Sequence, residues 1–318
     1  MKNDQTATNA LTLDRERPYL IGIAYRMLGS RSDAEDIVQE ALIRAVNHDE
    51  ELRTPRAFLT TVVTRLCLDE LGSARRKRED YVGPYLPEPV LTDRLDAGDD
   101  PAEYRENVSV ALLTVLDTLS PAERAVFVLR DVFDLDYSVI AEALERSEAS
   151  CRKLLQRARE QLVDAQLQQP AAAAEQQALS GAFFQALASG DLQGLIELLA
   201  ESATMRTDHG GKASAARRIL EGPNNIARFL HGLWSKRDQL PTELQVLVRF
   251  VNGAPALILR VGDEVFSTIT LRIERRSDAV RITEIAIMRN PDKLLRLKAA
   301  LDRDELMAVA PTDVPANR

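Results

Sequence analysis

The segment 131–160 constrains the fold of this chain most, because its pattern is that of two short helices joined by a tight turn. Glu145 and Arg146 form the turn, and Ser147 is in position to cap the second helix. The apolar residues at helical spacing are Ile140, Ala141 and Leu144 in the first helix and Cys151, Leu154, Leu155, Ala158 and Leu162 in the second. The sequence therefore predicts a helix-turn-helix whose apolar faces pack inward.

The outward face of the second helix is polar and basic. Its residues are Glu148, Ser150, Arg152, Lys153, Gln156, Arg157 and Arg159. Such a set can contact base edges near the start of the helix and phosphates further along. The pattern indicates binding to duplex DNA, but an ordinary amphipathic hairpin with a solvated basic face has the same pattern.

The overall charge limits where nucleic acid can bind. Acidic residues number 49 against 41 basic ones, the net charge is -8, and the isoelectric point is near 5.2. Any contact with DNA must therefore come from local basic clusters. The 318 residues predict two or three domains.

Several classes of protein are disfavoured by the sequence. No apolar run approaches the roughly 20 residues of a membrane span, and the N-terminus MKNDQTATNA lacks the apolar core of a signal peptide, so we expect a cytoplasmic protein. Cys67 and Cys151 lie on predicted helices in apolar company, which favours buried reduced thiols. The three histidines are scattered without metal-ligand spacing, so neither a metal nor a cofactor is expected.

Two amphipathic helices are predicted near the N-terminus. The first runs from Tyr19 to a stop at Gly29, and the second begins with a capping box of Ser32 and Glu35. The outward face of the second helix is acidic and amide-rich, with Asp33, Asp36, Gln39 and Glu40. This face is either simply solvated or docks on a basic protein partner.

A third helix is predicted from Thr54, with Pro55 in its first turn. It ends in four consecutive cations, Arg75, Arg76, Lys77 and Arg78. The helix dipole explains part of this basic end, but four cations exceed what capping needs. The run indicates phosphate contact.

A proline-rich linker follows at 81–105, where Pro84, Pro87, Pro89 and Pro101 forbid a continuous helix. Ser120, Pro121 and Glu123 then begin the helix that leads to the helix-turn-helix. The chain up to about residue 165 is thus predicted as two helical blocks joined by an extended linker.

The C-terminal half is predicted to be α+β. Helices are expected through Phe183 and Ala188, up to Leu199, and over 225–233, and period-two strands over 244–250, 256–261, 265–273 and 280–287. Helices followed by a strand meander argue for a curved sheet packed on helices. Within this half, Asp208 and His209 are a candidate acid/base pair, but Asp-His-Gly-Gly is more typical of a turn in which Gly210 and Gly211 take positive φ. We therefore expect no enzyme.

The helical half resembles bacterial sigma factors of the extracytoplasmic-function class. The motifs are RPYLIGIAYRMLGSRSDAEDIVQEALIRA, TPRAFLTTVVTRLCLDELGSARRKRE and LSPAERAVFVLRDVFDLDYSVIAEALERSEASCRKLLQRARE, in family order. The resemblance implies that Asp36, Gln39 and Glu40 contact core RNA polymerase. It also implies that Arg75, Arg76, Lys77 and Arg78 contact the minus-10 element, and that the outward residues of the helix-turn-helix contact minus-35.

The C-terminal half resembles the SnoaL-like cone fold that one group of these sigma factors carries as a fused domain. GPYLPEP from Gly83, TDHGGK from Thr207 and NPDKL from Asn290 are similar to three motifs of that group, although His209 replaces a glycine and Tyr85 a tryptophan. The resemblance implies that this domain tunes activity in place of a separate anti-sigma factor. We expect the three motifs to meet at one interdomain surface, made of Gly83, Pro84, Pro87, Asp208, Gly210, Gly211, Lys212, Asn290, Pro291, Asp292, Lys293 and Leu294.

The predicted organisation has five parts. They are sigma region 2 at 10–80, the linker at 81–105, sigma region 4 at 106–165, the SnoaL-like domain at 175–289 and a C-terminal tail at 290–318, which should be helical before it frays. The expected partners are core RNA polymerase and promoter DNA, bound by a chain that is monomeric when free. The alternative function is a one-component regulator whose cone binds a small molecule and whose helix-turn-helix binds an operator without polymerase.

Overall fold

The N-terminal half is helical in the computed structural model, which describes residues 13–48, 54–79, 81–92, 110–164, 171–216, 218–236, 241–276 and 279–309. Its helices are α1 (Arg17–Leu28), α2 (Arg31–Val46), α3 (Pro55–Glu79), α4 (Val110–Leu116), α5 (Pro121–Phe127), α6 (Tyr137–Leu144) and α7 (Glu148–Asp164), with a π-helical turn at Val128–Val132 after α5.

Local sequence signals set most of these boundaries. Gly29 ends α1 with φ of 70°, a conformation that glycine adopts without the steric cost a Cβ brings. Ser120 and Glu123 form the predicted capping box of α5. The capping box predicted at Ser32 is wrong: Ser30 is the N-cap, and its Oγ accepts from the Asp33 amide at 3.2 Å. The actual N-cap therefore lies two residues before the predicted one, and the helix begins at Arg31.

The predicted helix-turn-helix is confirmed as α6 and α7. Glu145 makes the turn with φ of 53°, and the Ser147 Oγ accepts from the Ser150 amide at 3.2 Å. The apolar residues Ile140, Cys151, Leu155, Ala158 and Leu162 are buried.

The two helical blocks share one hydrophobic core. Leu20 of α1, Val63 of α3 and Leu129 after α5 belong to the same buried cluster. The Arg65 Nη2 of α3 donates to the Glu142 carbonyl at the end of α6 at 2.9 Å, and the Arg124 Nη1 of α5 donates to the Met27 carbonyl at 2.7 Å. The blocks are therefore packed on each other rather than held apart.

The C-terminal half is an α+β domain, as predicted. Its elements are α8 (Ala173–Ser189), α9 (Leu192–Leu198), β1 (Leu199–Asp208), β2 (Leu220–Glu221), α10 (Pro223–Trp234), β3 (Leu244–Val251), β4 (Ala254–Val261), β5 (Glu264–Arg276), β6 (Ala279–Met288) and α11 (Pro291–Val309). The strand order is β2-β1-β6-β5-β4-β3. All neighbours are antiparallel except β1 and β6.

Each face of the sheet has its own core. Helices α8 to α10 pack on one face around Phe183, Ile226 and Ile285. On the other face Leu86 and Leu91 of the linker pack with Leu294 and Leu297 of α11. The four predicted strands are confirmed, whereas β1 and β2 were not predicted. Strand β1 pairs in parallel with β6 and is partly buried on both sides, so it lacks a strict alternation.

The predicted C-terminal tail begins as a packed helix. Residues 291–309 are helical, and Leu294, Leu297 and Leu301 are buried. The final residues, 310–318, lie outside the described part of the chain. Across the described ranges, no helix has the length and apolar character that a bilayer crossing requires.

Candidate functional site

The outward face of α7 is the candidate DNA-binding surface. Glu148, Arg152, Lys153, Gln156 and Arg157 are exposed, and Ser150 is half-buried. Arg152 pairs with Glu148 at 2.7 Å, and the Gln156 Nε2 donates to the Glu160 Oε1 at 2.9 Å. Within the described ranges neither Lys153 nor Arg157 has an ion-pair partner. These two cations can therefore bind an anion without first losing an internal partner.

Arg159, also predicted to face outward, is already engaged. Its Nε and Nη2 donate to the two carboxylate oxygens of Asp131 at 2.9 and 2.7 Å. This bidentate pair ties α7 to the π-helical turn, and the hydrogen bond raises the pKa of the guanidinium.

The candidate polymerase surface lies on α2. Asp36, Gln39 and Glu40 are all exposed on one face. Next to them Ile43 and Val46 are each 46% exposed, and a cleft of about 430 Å³ lies between α2 and the start of α1. The sequence analysis did not single out Ile43 or Val46. Exposed aliphatic residues beside a polar face are typical of a protein-binding surface.

The predicted basic run is part of α3 and lies at its C-terminal end. Arg75, Arg76, Lys77 and Arg78 lie in the last turns of this helix, and their side chains lie outside the described residues. Their predicted role in minus-10 contact stays a prediction.

The three interdomain motifs are in contact around Asp208, which is fully buried at the end of β1. Its carboxylate accepts four hydrogen bonds. The donors are the Tyr81 hydroxyl at 2.5 Å, the Leu86 amide at 2.9 Å, the Gly210 amide at 3.2 Å and the Lys293 Nζ at 2.8 Å. We call Asp208 and these donors the Asp208 latch. It joins the linker, the turn after β1 and α11.

Asn290 and Lys293 complete the latch from the start of α11. The Asn290 Oδ1 caps this helix by accepting from the Asp292 amide at 3.1 Å, and its Nδ2 donates to the Tyr81 hydroxyl at 2.9 Å. The Lys293 Nζ also donates to the Leu86 carbonyl at 2.6 Å and lies 3.3 Å from the centre of the Tyr85 ring. Tyr85 replaces the tryptophan of the linker motif that GPYLPEP resembles. Its ring still presents an aromatic face to the Lys293 cation.

The turn after β1 fits closely against the linker and α11. Gly210 and Gly211 have φ of 53° and 74°, as predicted. A Cβ on Gly83 would lie 2.7 Å from the His209 Nε2, and a Cβ on Gly210 would lie 2.5 Å from the Asn290 Nδ2. Lys212 and Asp292 form an exposed ion pair at the rim. Pro84 is half-buried, Pro87 is buried against Gly29, Pro291 is exposed and Leu294 is buried.

A second cluster, missed by the sequence analysis, joins the linker to region 2. Buried Glu88 accepts from the amides of Arg31 and Ser32 at 2.7 and 3.1 Å, and from the hydroxyls of Ser30 and Ser32 at 3.3 Å each. A carboxylate at this position also interacts favourably with the helix dipole. We call these contacts the Glu88 cap. They hold the N-terminus of α2, the helix that carries the candidate polymerase surface.

The Glu88 cap connects onward to the C-terminal domain. The Tyr25 hydroxyl donates to the Glu88 carbonyl at 2.7 Å and accepts from the Asn252 Nδ2 at 2.5 Å. The Thr92 amide donates to the Phe250 carbonyl at 3.0 Å, and Leu91 bridges to Val251. The linker thus forms an isolated antiparallel bridge with the end of β3. No sequence signal marks these partners, because they are distant along the chain.

Neither the acid/base pair nor the cysteines form a catalytic arrangement. Asp208 is enclosed by its donors, and the His209 Nδ1 accepts from the Gly211 amide at 3.0 Å in the predicted turn. Cys67 and Cys151 are free and buried, as predicted, and burial raises the pKa of both thiols. In the described ranges no cluster of His, Cys, Asp or Glu has the geometry of a metal site.

The helical half matches the two regions that define a sigma factor. Residues 12–77 match the family described as Sigma-70 region 2, and residues 109–162 match Sigma-70, region 4. The first match covers α1, α2 and most of α3, and the second covers α4 to α6 and most of α7.

Relatives extend the similarity into the C-terminal domain. The chain is 42% identical over 224 residues to the ECF RNA polymerase sigma factor SigJ of Mycobacterium tuberculosis, covering 68% of this chain and 70% of that protein. It is 31% identical over 290 residues to the "Probable ECF RNA polymerase sigma factor SigI" of the same species, covering 90% and 94%. The crystal structure of M. tuberculosis SigJ aligns with a TM-score of 0.68 at 32% identity, covering 92% of this chain and 98% of that one.

The chain belongs to the extracytoplasmic-function (ECF) family of RNA polymerase sigma factors. Sigma factors are not enzymes: they bind core RNA polymerase and promoter DNA to initiate transcription.

Proposed function

We propose that this sigma factor docks on core RNA polymerase through Asp36, Gln39 and Glu40 of α2. The exposed acidic face and the adjacent Ile43 and Val46 support this assignment. Charged groups at the rim of such a surface speed association, and the apolar residues contribute the desolvated centre. The free chain is proposed to be a monomer that acts as one copy with polymerase.

Promoter reading is proposed to use two separate surfaces. Lys153 and Arg157 would contact phosphates of the minus-35 element, with Glu148, Ser150, Arg152 and Gln156 nearer the base edges. The basic end of α3 would hold the minus-10 strand. The two helical blocks share a core, and we propose that they move apart when the two separated elements are read at once.

The C-terminal domain is proposed to control that movement. The observation that carries this proposal is the linker 81–92, which binds the C-terminal domain through the Asp208 latch and α2 through the Glu88 cap. Arg296 of α11 adds an ion pair to Glu35 of α2. Since the domain is tethered, its effective concentration is about millimolar and weak contacts suffice to bias the arrangement.

The proposed control by the C-terminal domain can be tested by measuring transcription from a promoter with purified core RNA polymerase. The double change Asp292→Ala and Lys293→Ala removes the exposed ion pair and one arm of the latch. We expect transcription to rise about fivefold or more, the usual scale of coupling between sites. The matched control is Lys298→Ala with Asp302→Ala, a pair further along the same helix. Equal transcription by the double variant, the control and the wild type would contradict the proposal.

A further inference from the structure

Arg65 of α3 joins region 2 to the turn of the helix-turn-helix in region 4. Its Nη2 donates to the Glu142 carbonyl at 2.9 Å, and its Nε donates to the Ala143 carbonyl at 3.3 Å. Both carbonyls belong to the last turn of α6, where a helix cannot satisfy its acceptors by its own regular bonds. A cation at this end also interacts favourably with the helix dipole. Region 2 thus supplies a cap for a helix of region 4.

Glu145, the residue that makes the turn, has a backbone conformation that suits glycine. Its φ is 53°, and positive φ is uncommon for a residue that carries a side chain. Its carboxylate lies 3.3 Å from the Arg65 Nη2, and the Glu145 and Arg65 side chains are 74% and 46% exposed. The ion pair gives a physical reason for a carboxylate at this position. We call Arg65, its two carbonyl acceptors and Glu145 the Arg65 clasp.

An apolar contact between the same two regions lies deeper in the protein. Phe133, which follows the π-helical turn, packs on α1 of region 2. Its ring lies 5.2 Å from the buried Tyr19 ring in an edge-to-face arrangement, and a Cβ on Gly22 would lie 3.4 Å from the Phe133 Cζ. The Arg65 clasp, in contrast, lies at the exposed margin of this interface, where solvent reaches both side chains of its ion pair.

The proposed reading surfaces lie much closer together than the two promoter elements. The names of the elements place them about 25 base pairs apart, which is about 85 Å of duplex at 3.4 Å per base pair. In the structure the turn before α7 contacts α3 at Arg65. The basic run at 75–78 lies on the same helix, about 15 Å further along its axis. A chain in this arrangement therefore does not span both elements.

We propose that the Arg65 clasp is an autoinhibitory contact, which holds region 4 on region 2 in the free chain and opens before both promoter elements are bound. This inference rests on the proposed function and deepens it, because it assigns part of the restraint to the helical half itself. The Asp208 latch and the Glu88 cap contain no residue of α6 or α7. The clasp is thus a second restraint, made without the C-terminal domain.

Transcription titrated with the full chain tests release of the clasp. Arg65→Met keeps an apolar stem but removes the guanidinium. Because the clasp limits the population that is competent to initiate, the concentration of chain giving half-maximal transcription with purified core RNA polymerase should fall about fivefold or more. Loss of a positive charge would by itself weaken DNA binding. Release of the clasp and simple loss of charge therefore predict opposite directions.

Two further variants calibrate this result. Arg228→Met is the matched control, because Arg228 is also exposed and donates to a backbone carbonyl, that of Asn224 in its own helix, at 3.3 Å. It should leave the half-maximal concentration unchanged. Glu145→Gln removes only the exposed ion pair, so the concentration should fall about twofold. A half-maximal concentration for Arg65→Met that equals or exceeds that of the wild type would overturn the proposal.

A covalent lock tests the clasp in the opposite direction. Arg65→Cys and Glu145→Cys in one chain are joined by a short bifunctional maleimide, while the native Cys67 and Cys151 are buried and react slowly. The locked chain should lose transcription about tenfold or more relative to the same chain blocked with N-ethylmaleimide. Equal transcription by the locked and blocked chains would disprove the clasp. Failure of the proposed docking is distinguishable, because it would appear as absent core binding by the wild-type chain itself.

Discussion

At the residue scale, Asp208 shows how one buried carboxylate can join three segments. A buried charge is tolerated only when it is paired and its lone pairs are satisfied. Asp208 meets both conditions, with Lys293 as counter-ion and three further donors. The Asp208 latch should therefore be weakened by a substitution that removes the negative charge of Asp208 but keeps the shape of its side chain.

Asp208→Asn should release the linker from the C-terminal domain. The new amide places a donor against groups that also donate and leaves the Lys293 ammonium, 14% exposed, without a counter-ion. Breaking a buried pair costs about 3–5 kcal/mol. Hydrogen exchange at the Leu86 amide, read by mass spectrometry, should accelerate. Asp292→Asn is the control, since its exposed pair with Lys212 is worth about 0–1 kcal/mol; equal protection in both variants would refute the prediction.

Tyr81 should contribute to stability over the whole neutral range of pH. Burial, and then the hydrogen bond to Asp208, raise the pKa of its hydroxyl. When folding raises the pKa of a group, the group contributes its full stabilisation of the folded state at pH values below its unfolded-state pKa, which is about 10 for tyrosine. That stabilisation is lost as the pH rises through the folded-state pKa. Tyr81→Phe should therefore cost about 1–3 kcal/mol by denaturant titration. The cost should be the same at pH 6 and pH 9; a cost that disappears by pH 9 would contradict this.

At the element scale, α7 carries two cations that have no ion-pair partner among the described residues and one that is held within the protein. Lys153 and Arg157 have no ion-pair partner among the described residues, whereas Arg159 is held by Asp131. Three cations with the same predicted orientation should therefore differ in effect.

Arg157→Ala should weaken promoter binding by the polymerase complex and reduce its dependence on salt. Removing one cation from a phosphate of duplex DNA lowers the slope of log affinity against log salt by about 0.9. Arg159→Ala removes the same charge but mainly disrupts an internal pair, so its salt slope should stay near that of the wild type. Fluorescence anisotropy at several salt concentrations measures both slopes. Identical slopes for the two variants would show that this distinction is wrong.

Helices and strands with local signals could be predicted from the sequence, and those defined by distant partners could not. Ser147 marks the start of α7 because its cap lies within its own turn. Strand β1 has its partner in β6, far along the chain, and its sequence LAESATMRTD shows no regular alternation. Ser32 and Glu35 match the capping-box motif, but the linker residue Glu88 binds at that helix end and Ser30 is the N-cap.

At the scale of the whole molecule, the linker is a bound element. Proline content predicted an extended path, and residues 81–92 do run without helix. These residues contact Asn252, form the Glu88 cap with the start of α2 and form the Asp208 latch with the C-terminal domain. The contacts of the linker therefore depend on residues from both halves of the chain. Family resemblance located the three motifs, but the donors to Asp208 and the role of Glu88 became apparent only from the structure.

The proposed coupling between the domains would act through this linker. Helix α2 carries the proposed polymerase surface on its outward face and is capped at its N-terminus by Glu88. We expect a change in the C-terminal domain that moves the linker to alter the start of α2 as well. We therefore predict that polymerase binding and the state of the C-terminal domain are linked.

The affinity of the chain for purified core RNA polymerase tests whether it docks through α2. The wild-type chain is compared with a variant in which Asp36, Gln39 and Glu40 are changed to alanine, and with Glu201→Ala, an exposed carboxylate on β1, as a control away from α2. We predict tight binding by the wild type and the control, and a loss of about tenfold or more in the triple variant. No binding of the wild-type chain to core, or unchanged binding of the triple variant, would contradict docking through α2.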